Sequence, residues 1–172
     1  MSAKTPTAPK QIPWYEGRLW AGCNFGGWLR VLARNRFRVD WRHWSMAASL
    51  TGFSLSNSAL GLAQRLSVGR RAERVELAEP PLFVIGHWRS GTTLLHELLA
   101  CDPRHIYPTT YECFAPNHFL LTERRIAKYI KFLLPRERPM DRMKMSWDRP
   151  QEDEAGLCNL GLPSPFWTVA FP

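Results

Sequence analysis

No stretch of this chain reaches the roughly 18 to 20 consecutive apolar residues that a membrane-spanning helix needs, although hydrophobic residues fill 45% of its 172 positions. Met1 to Lys10 is polar and lacks the apolar core of a secretory leader. The default expectation is a cytoplasmic chain, with association at a membrane surface left open. Cysteine is sparse: Cys23, Cys101, Cys113 and Cys158 are scattered without a C-x-x-C pair. That offers no zinc framework, fits a reducing compartment, and leaves the thiols as small buried residues. His96-Glu97 starts an H-E-x-x-H pattern, but Ala100 stands where the second histidine is required, so no metal is expected. Acid is scarce in the first half. Residues 1–80 hold 12 Lys and Arg against 5 Asp and Glu, and so carry +7 of the net +8.

What the basic half does contain is tryptophan. Trp14, Trp20, Trp28, Trp41 and Trp44 alternate with Arg30, Arg34, Arg36, Arg38 and Arg42. Two readings stay open. The region can be a helical layer that buries its tryptophans on a neighbouring domain and leaves its arginines in water, or residues 14–44 can make a peripheral membrane contact. Nucleic acid is not expected as a partner, because no known reader motif is present. Helical spacing places Leu19, Trp20, Cys23, Gly27 and Trp28 along one side of a first helix. Ser45 to Leu66, rich in Ala, Leu and Ser, predicts a second helix interrupted at Gly52 and Gly61. Pro80-Pro81 then marks the boundary between a region 1–80 and a region 81–172.

The most informative segment follows that boundary. Leu82-Phe-Val-Ile85 is an apolar strand pattern that stops at Gly86, and the helix pattern Leu94 to Ala100 restarts after a short polar loop. A helix that begins right after a glycine loop presents N–H groups without intrahelical partners, together with the positive end of its dipole, so an anion is the natural occupant. Against the phosphate-loop template G-x-x-x-x-G-K-[ST], Gly86, Gly91 and Thr93 fit, whereas Thr92 replaces the lysine. That lysine reaches the β and γ phosphates of a nucleoside triphosphate, so its absence argues against ordinary ATP or GTP hydrolysis. Arg89 is the cation of the loop and can fork onto a smaller anionic group. A turn with no ligand would use the same glycines, but its polar or small residues sit between two clean apolar runs as a site would have them.

Arg89-Ser90-Gly91-Thr92-Thr93 after a strand resembles the 5′-phosphosulfate loop of the sulfotransferases that use 3′-phosphoadenosine 5′-phosphosulfate (PAPS). With Leu94 and Leu95 following, the arginine version is most similar to the branch of the tyrosylprotein and bacterial sulfotransferase-like proteins. The resemblance is strong over residues 82–103 and loose over 104–165. It implies an α/β fold, a P-loop-like parallel sheet flanked by helices, incomplete here and preceded by an N-terminal helical region. It also implies PAPS as co-substrate, a small-molecule or macromolecular sulfate acceptor, and donor contacts from Arg89, Ser90, Gly91, Thr92 and Thr93. The family grips the 3′-phosphate with a later arginine and serine, for which Asp148-Arg149-Pro150 is a poor counterpart. The chain is therefore expected to be the N-terminal part of a longer enzyme, as a truncated gene product or a fragment.

Sulfuryl transfer needs stabilisation of charge on the bridging oxygen, for which Arg89 and the loop N–H groups are suited, and a base for the acceptor's proton. Relatives carry a glutamate in the region of His105 to His118, but the count from Pro103 falls on Thr109 or Thr110. Glu112 is accordingly the first candidate base and His118 the second, with Glu154 a distant third; Glu112 can equally pair with an arginine, and His118 can line or cap the next helix. Asn117 to Leu134 predicts that helix, with Phe119, Leu120, Ile126, Tyr129, Ile130 and Leu133 inward. Another is predicted near Pro150, with Gln151 to Glu154 placing acid in its first turn. Two other functional classes remain: a phosphotransferase with a degenerate loop, and a non-catalytic sulfotransferase-like fragment at a membrane surface.

Overall fold

The computed structural model describes residues 20–87, 90–131, 134, 137 and 143–164, and every structural statement below concerns these. They form helices α1 (Phe25–Arg34), α2 (Trp44–Ala72), α3 (Thr92–Ala100), α4 (Thr110–Phe114), α5 (Phe119–Ile126) and α6 (Asp153–Asn159), with a 3-10 turn at Trp41–His43 before α2.

The first helix starts later than the tryptophan spacing suggests, and its cap explains why. Asn24 has an extended backbone, and its side chain accepts the Gly27 N–H at 2.7 Å, so the first helical residue is Phe25. Trp20 and Cys23 lie in the turn before it. They nevertheless bury with Trp28 against Leu50 of α2, so the expected apolar side exists although one helix does not carry all of it. α2 runs 29 residues, beyond Leu66, and none of its glycines breaks it. At Gly61 the absent side chain has a use: a Cβ there would come within 3.3 Å of Asn117.

The two halves divided at Pro80 are in contact. A Cβ on Gly22 would lie 1.7 Å from the Phe114 carbonyl oxygen, so the turn before α1 touches the end of α4 at a distance only glycine permits. Asn117 donates to the Gly22 carbonyl at 3.4 Å, and Arg30 donates to the Gly161 carbonyl at 2.7 Å. Tyr111, Ala115, Leu134 and Trp147 form a second core, with Tyr111 and Phe114 meeting the Trp147 ring edge-on at 5.6 and 5.7 Å.

Residues 108–111 and 147–151 run antiparallel. Thr110 N–H donates to the Arg149 carbonyl, Tyr111 N–H to that of Trp147, and Gln151 N–H to that of Pro108, at 2.8 to 3.0 Å. This pairing keeps Pro150 extended, which is why α6 starts three residues later than predicted, with Asp153 and Glu154 in its first turn. α5 is likewise shorter than predicted, ending at Ile126. Tyr129 and Leu120 are exposed, where the helical pattern had them inward, and Leu133 lies outside the described residues.

Residues 80–87 adopt no regular secondary structure and carry no ladder partner among the described residues, whose only bridges are Thr109 with Pro150 and Glu137 with Lys144. Leu82, Phe83 and Ile85 are exposed. A strand is defined by its neighbour, and the parallel sheet is not assembled from the described residues. No helix among them is long and apolar enough to cross a membrane.

Candidate functional site

The loop before α3 is shaped by its two template glycines. Gly91 occupies the N-cap position with φ +89°, a left-handed conformation that side chains other than glycine rarely adopt. A Cβ on Gly86 would fall 2.5 Å from Thr92 Cγ2 and 2.8 Å from Ser90 Oγ, so the close approach of Ser90 and Thr92 leaves no room there for a side chain. Ser90 donates its hydroxyl to the His87 carbonyl at 2.5 Å and its N–H to the same oxygen at 3.2 Å. That hydroxyl tightens the turn. Thr92 and Thr93 are the first two residues of α3, and its first turn contains no acid. By helix geometry their N–H groups point out of the N-terminus with no intrahelical acceptor, and the dipole adds roughly half a positive charge there. Arg89, expected as both donor-binding and catalytic, lies outside the described residues.

Beside this terminus is a small cleft of about 20 Å³ lined by polar residues, among them Thr93, Glu97, Thr110 and Arg149, and by Met143 and Met145. Arg149 bridges it, with Nη2 3.4 Å from Glu97 Oε2 and Nη1 donating to the Lys144 carbonyl at 2.8 Å. This arginine is offered by the sequence only as a poor counterpart of the family's 3′-phosphate arginine, because a poor strand precedes it and an acidic stretch follows. It reaches α3 through the 108–111 pairing, a contact between segments 52 residues apart.

Glu112 sits in a reciprocal cap. Its Oε2 accepts the Thr109 N–H at 2.7 Å, and Thr109 Oγ1 accepts the Glu112 N–H at 3.2 Å. The T-x-x-E spacing was the available signal. The carboxylate is thus spoken for locally by backbone, not by the arginine considered above.

His118 is buried at the N-cap position of α5, though its ring makes no cap bond. Asn57 of α2 donates both amide hydrogens, to the Ala21 and Cys23 carbonyls at 3.0 Å, which turns its Oδ1 to the histidine's Nε2 at 3.1 Å. Nε2 is therefore the protonated nitrogen of the neutral ring. Nδ1 lies 2.8 Å from the Thr122 hydroxyl, which shares its one hydrogen with the His118 carbonyl and accepts from the Tyr111 phenol at 2.9 Å. Burial pushes the imidazole pKa below its ordinary value and lifts that of Tyr111.

None of the hydrogen bonds or ion pairs of the described residues joins Glu112 or His118 to Ser90, Gly91, Thr92 or Thr93. α4 does approach α3 through Thr110, two residues before Glu112. Glu154 stays in the first turn of α6, where it answers the helix dipole. Of the cysteines, Cys23 and Cys113 are buried and their thiols are pushed up to about 12, chiefly by loss of solvent; Cys158 is buried too, and Cys101 is exposed. Among the described residues no group of three or more His, Cys, Asp or Glu is placed to hold a metal ion.

Comparison with known proteins agrees with the loop. Residues 80–157 match the model of the sulfotransferase family. The chain is 54% identical over 154 residues to the omega-hydroxy-beta-dihydromenaquinone-9 sulfotransferases Stf3 of Mycobacterium bovis and Mycobacterium tuberculosis, a match covering 90% of this chain. The chain spans 39% of the length of these relatives. No solved structure matches it.

Proposed function

The chain belongs to the sulfotransferase family, and from that premise we propose that it carries the sulfuryl-donor site of an enzyme that transfers sulfate from PAPS to an alcohol. The observation that carries the reading is the glycine-shaped loop at the α3 terminus: a left-handed Gly91 and a Gly86 packed under Ser90 and Thr92. Such a terminus suits a compact anion, and the missing lysine disfavours a triphosphate.

When bound, PAPS supplies the activated sulfuryl group. The chain's residues hold and polarise. The N–H groups of Thr92 and Thr93 and their hydroxyls face the anion, and Arg89 provides the positive charge that the loop otherwise lacks. Charge that grows during transfer is best met by such donors already in place. Glu112 is the candidate to take the acceptor's proton, with His118 behind it because both its ring nitrogens are engaged. We include the parallel sheet in the proposal, with residues 82–85 as one strand. Its support is the apolar surface left bare on Leu82, Phe83 and Ile85 and on Leu94, Leu95 and Leu98 of α3.

For the acceptor we take the chemical class from the relatives' printed name, a hydroxyl on a long lipophilic quinone. Titration of the chain with adenosine 3′,5′-bisphosphate, with and without magnesium, tests the donor site. Metal-independent binding that Arg89→Ala weakens about tenfold or more is expected, from loss of one charge-assisted contact. Tighter, magnesium-dependent binding of ATP would instead assign the loop to a phosphotransferase. Binding without transfer of labelled sulfate would make the chain a non-catalytic donor-binding fragment.

A further inference from the structure

The junction between α1 and α2 is built differently from the rest of the surface. α1 ends with the Phe37 N–H donating to the Leu32 carbonyl at 2.8 Å and the Arg36 N–H to that of Ala33 at 2.9 Å, the pattern that normally places a glycine in the left-handed region. Here Arg36 and Phe37 take φ +52° and +55°. Two consecutive side-chain-bearing residues in that region cost on the order of 1 to 2 kcal/mol each. The result of the strain is that Phe37 stands out, 60% exposed, close in sequence to Trp41 at 72% and Trp44 at 66%.

Local bonds hold these three aromatics in place. The Val39 N–H donates to the Phe37 carbonyl at 3.0 Å, Trp44 Nε1 to the Val39 carbonyl at 3.2 Å, and Asp40 accepts from the Arg42 N–H at 3.1 Å. Arg42 lies over the Trp41 ring at 5.6 Å. Arg34, Arg36, Arg38 and Arg42 are exposed around them, and Asp40 is the one acid against eight arginines between residues 20 and 72. None of the four enters an ion pair of the described residues.

Three exposed aromatics, with four exposed arginines close by in sequence that enter no ion pair among the described residues, match a surface that is apolar beneath and anionic on top. We propose that the α1–α2 junction, Arg34 to Trp44, docks this protein on an anionic lipid bilayer. Phe37, Trp41 and Trp44 enter the headgroup boundary while Arg34, Arg36, Arg38 and Arg42 meet lipid phosphates. Tryptophan favours that boundary because its ring is apolar and its N–H is not, and each basic residue near an anionic surface adds attraction that salt screens. Charge complementarity selects this occupant, since a second copy of the chain would bring a like-charged junction against it. The inference does not depend on the sulfuryl-transfer reading.

Co-sedimentation with vesicles of phosphatidylcholine alone, and of phosphatidylcholine with about a third phosphatidylglycerol, tests it. The full chain should partition onto the anionic vesicles at least about tenfold better, with the difference collapsing as salt rises from 0.05 to about 0.5 M. The variant Phe37→Ser/Trp41→Ser/Trp44→Ser should lose binding to both. Arg34→Gln/Arg36→Gln/Arg38→Gln/Arg42→Gln should lose only the anionic preference, and because these side chains are exposed its helical circular dichroism should match the parent's. Equal partition onto both vesicle types, or binding untouched by both variants, would overturn the proposal. So would tighter retention on duplex DNA than on anionic vesicles, or a dimer that the aromatic variant dissociates.

Discussion

Replacing His118 by alanine separates a structural histidine from a catalytic one. The ring joins α5 to α2 and, through Asn57, to the turn before α1. Its removal deletes two side-chain hydrogen bonds, one buried and one half-buried, at about 1 kcal/mol each and leaves the Asn57 carbonyl oxygen facing a hole, a further 1 to 3 kcal/mol. We expect a total loss of about 3 to 5 kcal/mol, which at a slope near 2 kcal/mol per molar lowers the urea midpoint by about 2 M. The acid limb carries a second sign. Burial holds the folded-state pKa below the ordinary value of 6.5, so above pH 6.5 the ring is neutral in both states and contributes no pH slope. Below 6.5 the unfolded chain takes the proton first, and stability falls until the folded-state pKa is passed. His118→Ala should flatten that part of the curve. In a double-mutant cycle with Asn57→Ala the double variant should lose less than the sum of the two single losses. A His118→Ala chain within about 0.5 kcal/mol of the parent that has lost sulfuryl transfer would refute this reasoning and return the ring to the chemistry.

Glu112→Gln keeps an acceptor for the Thr109 N–H and should hold stability within about 0.5 kcal/mol, whereas Glu112→Ala should cost about 1 kcal/mol. If Glu112 is the base, both abolish transfer of labelled sulfate while bisphosphate affinity survives; unchanged turnover in the Gln variant removes that role. Gly22→Ala should cost at least about 3 kcal/mol in urea unfolding, because the Phe114 carbonyl that a Cβ would meet is backbone and cannot swing away. Gly52→Ala, mid-helix with open space around it, should add about 0.5 to 1 kcal/mol, and equal effects at the two glycines would contradict the packing. At pH 8 a thiol reagent should modify Cys101 at once and Cys23 and Cys113 only on unfolding, as their thiols stay protonated; fast labelling of all of them would show that the cores are open.

Local grammar was readable and distant pairing was not. The start of α3 follows from Gly91 and its end from Pro103, and both lie within a few residues of what they control. The cap of α4 was also present in the sequence as Thr109-x-x-Glu112, but a carboxylate sought for chemistry was not weighed as a cap. α2 outran its prediction because glycine penalties of about 1 kcal/mol each were overridden by tertiary contacts, Gly61 against Asn117 among them. His118 with Asn57 spans 61 residues and Arg149 with Glu97 spans 52. No periodicity or local spacing encodes such pairs, since they exist only once α5 lies on α2 and the 147–151 segment lies beside α4.

That long-range pairing bears on where a donor site can reside. The described residues before α3 contact one another, Ser90 with His87 and Gly86 with Thr92, but the helix behind them leaves Leu94, Leu95 and Leu98 in solvent, and among the described residues α3 is tied to the rest by the ion pair of Glu97 with Arg149 and the edge contact of His96 with Tyr107. Half-buried and 3.4 Å long, that ion pair contributes on the order of 1 kcal/mol. The basic N-terminal region, by contrast, meets the second half where Gly22 abuts Phe114 of α4 and accepts from Asn117, where Asn57 meets His118 at the start of α5, and where Arg30 donates to the Gly161 carbonyl after α6. Stability in the described residues is therefore concentrated away from the anion cradle, in the contact between the region without the motif and the helices after it. It follows that bisphosphate binding should raise the protection of α3 amides against hydrogen exchange far more than that of α1 and α2, since a ligand can stabilise only what is not already held.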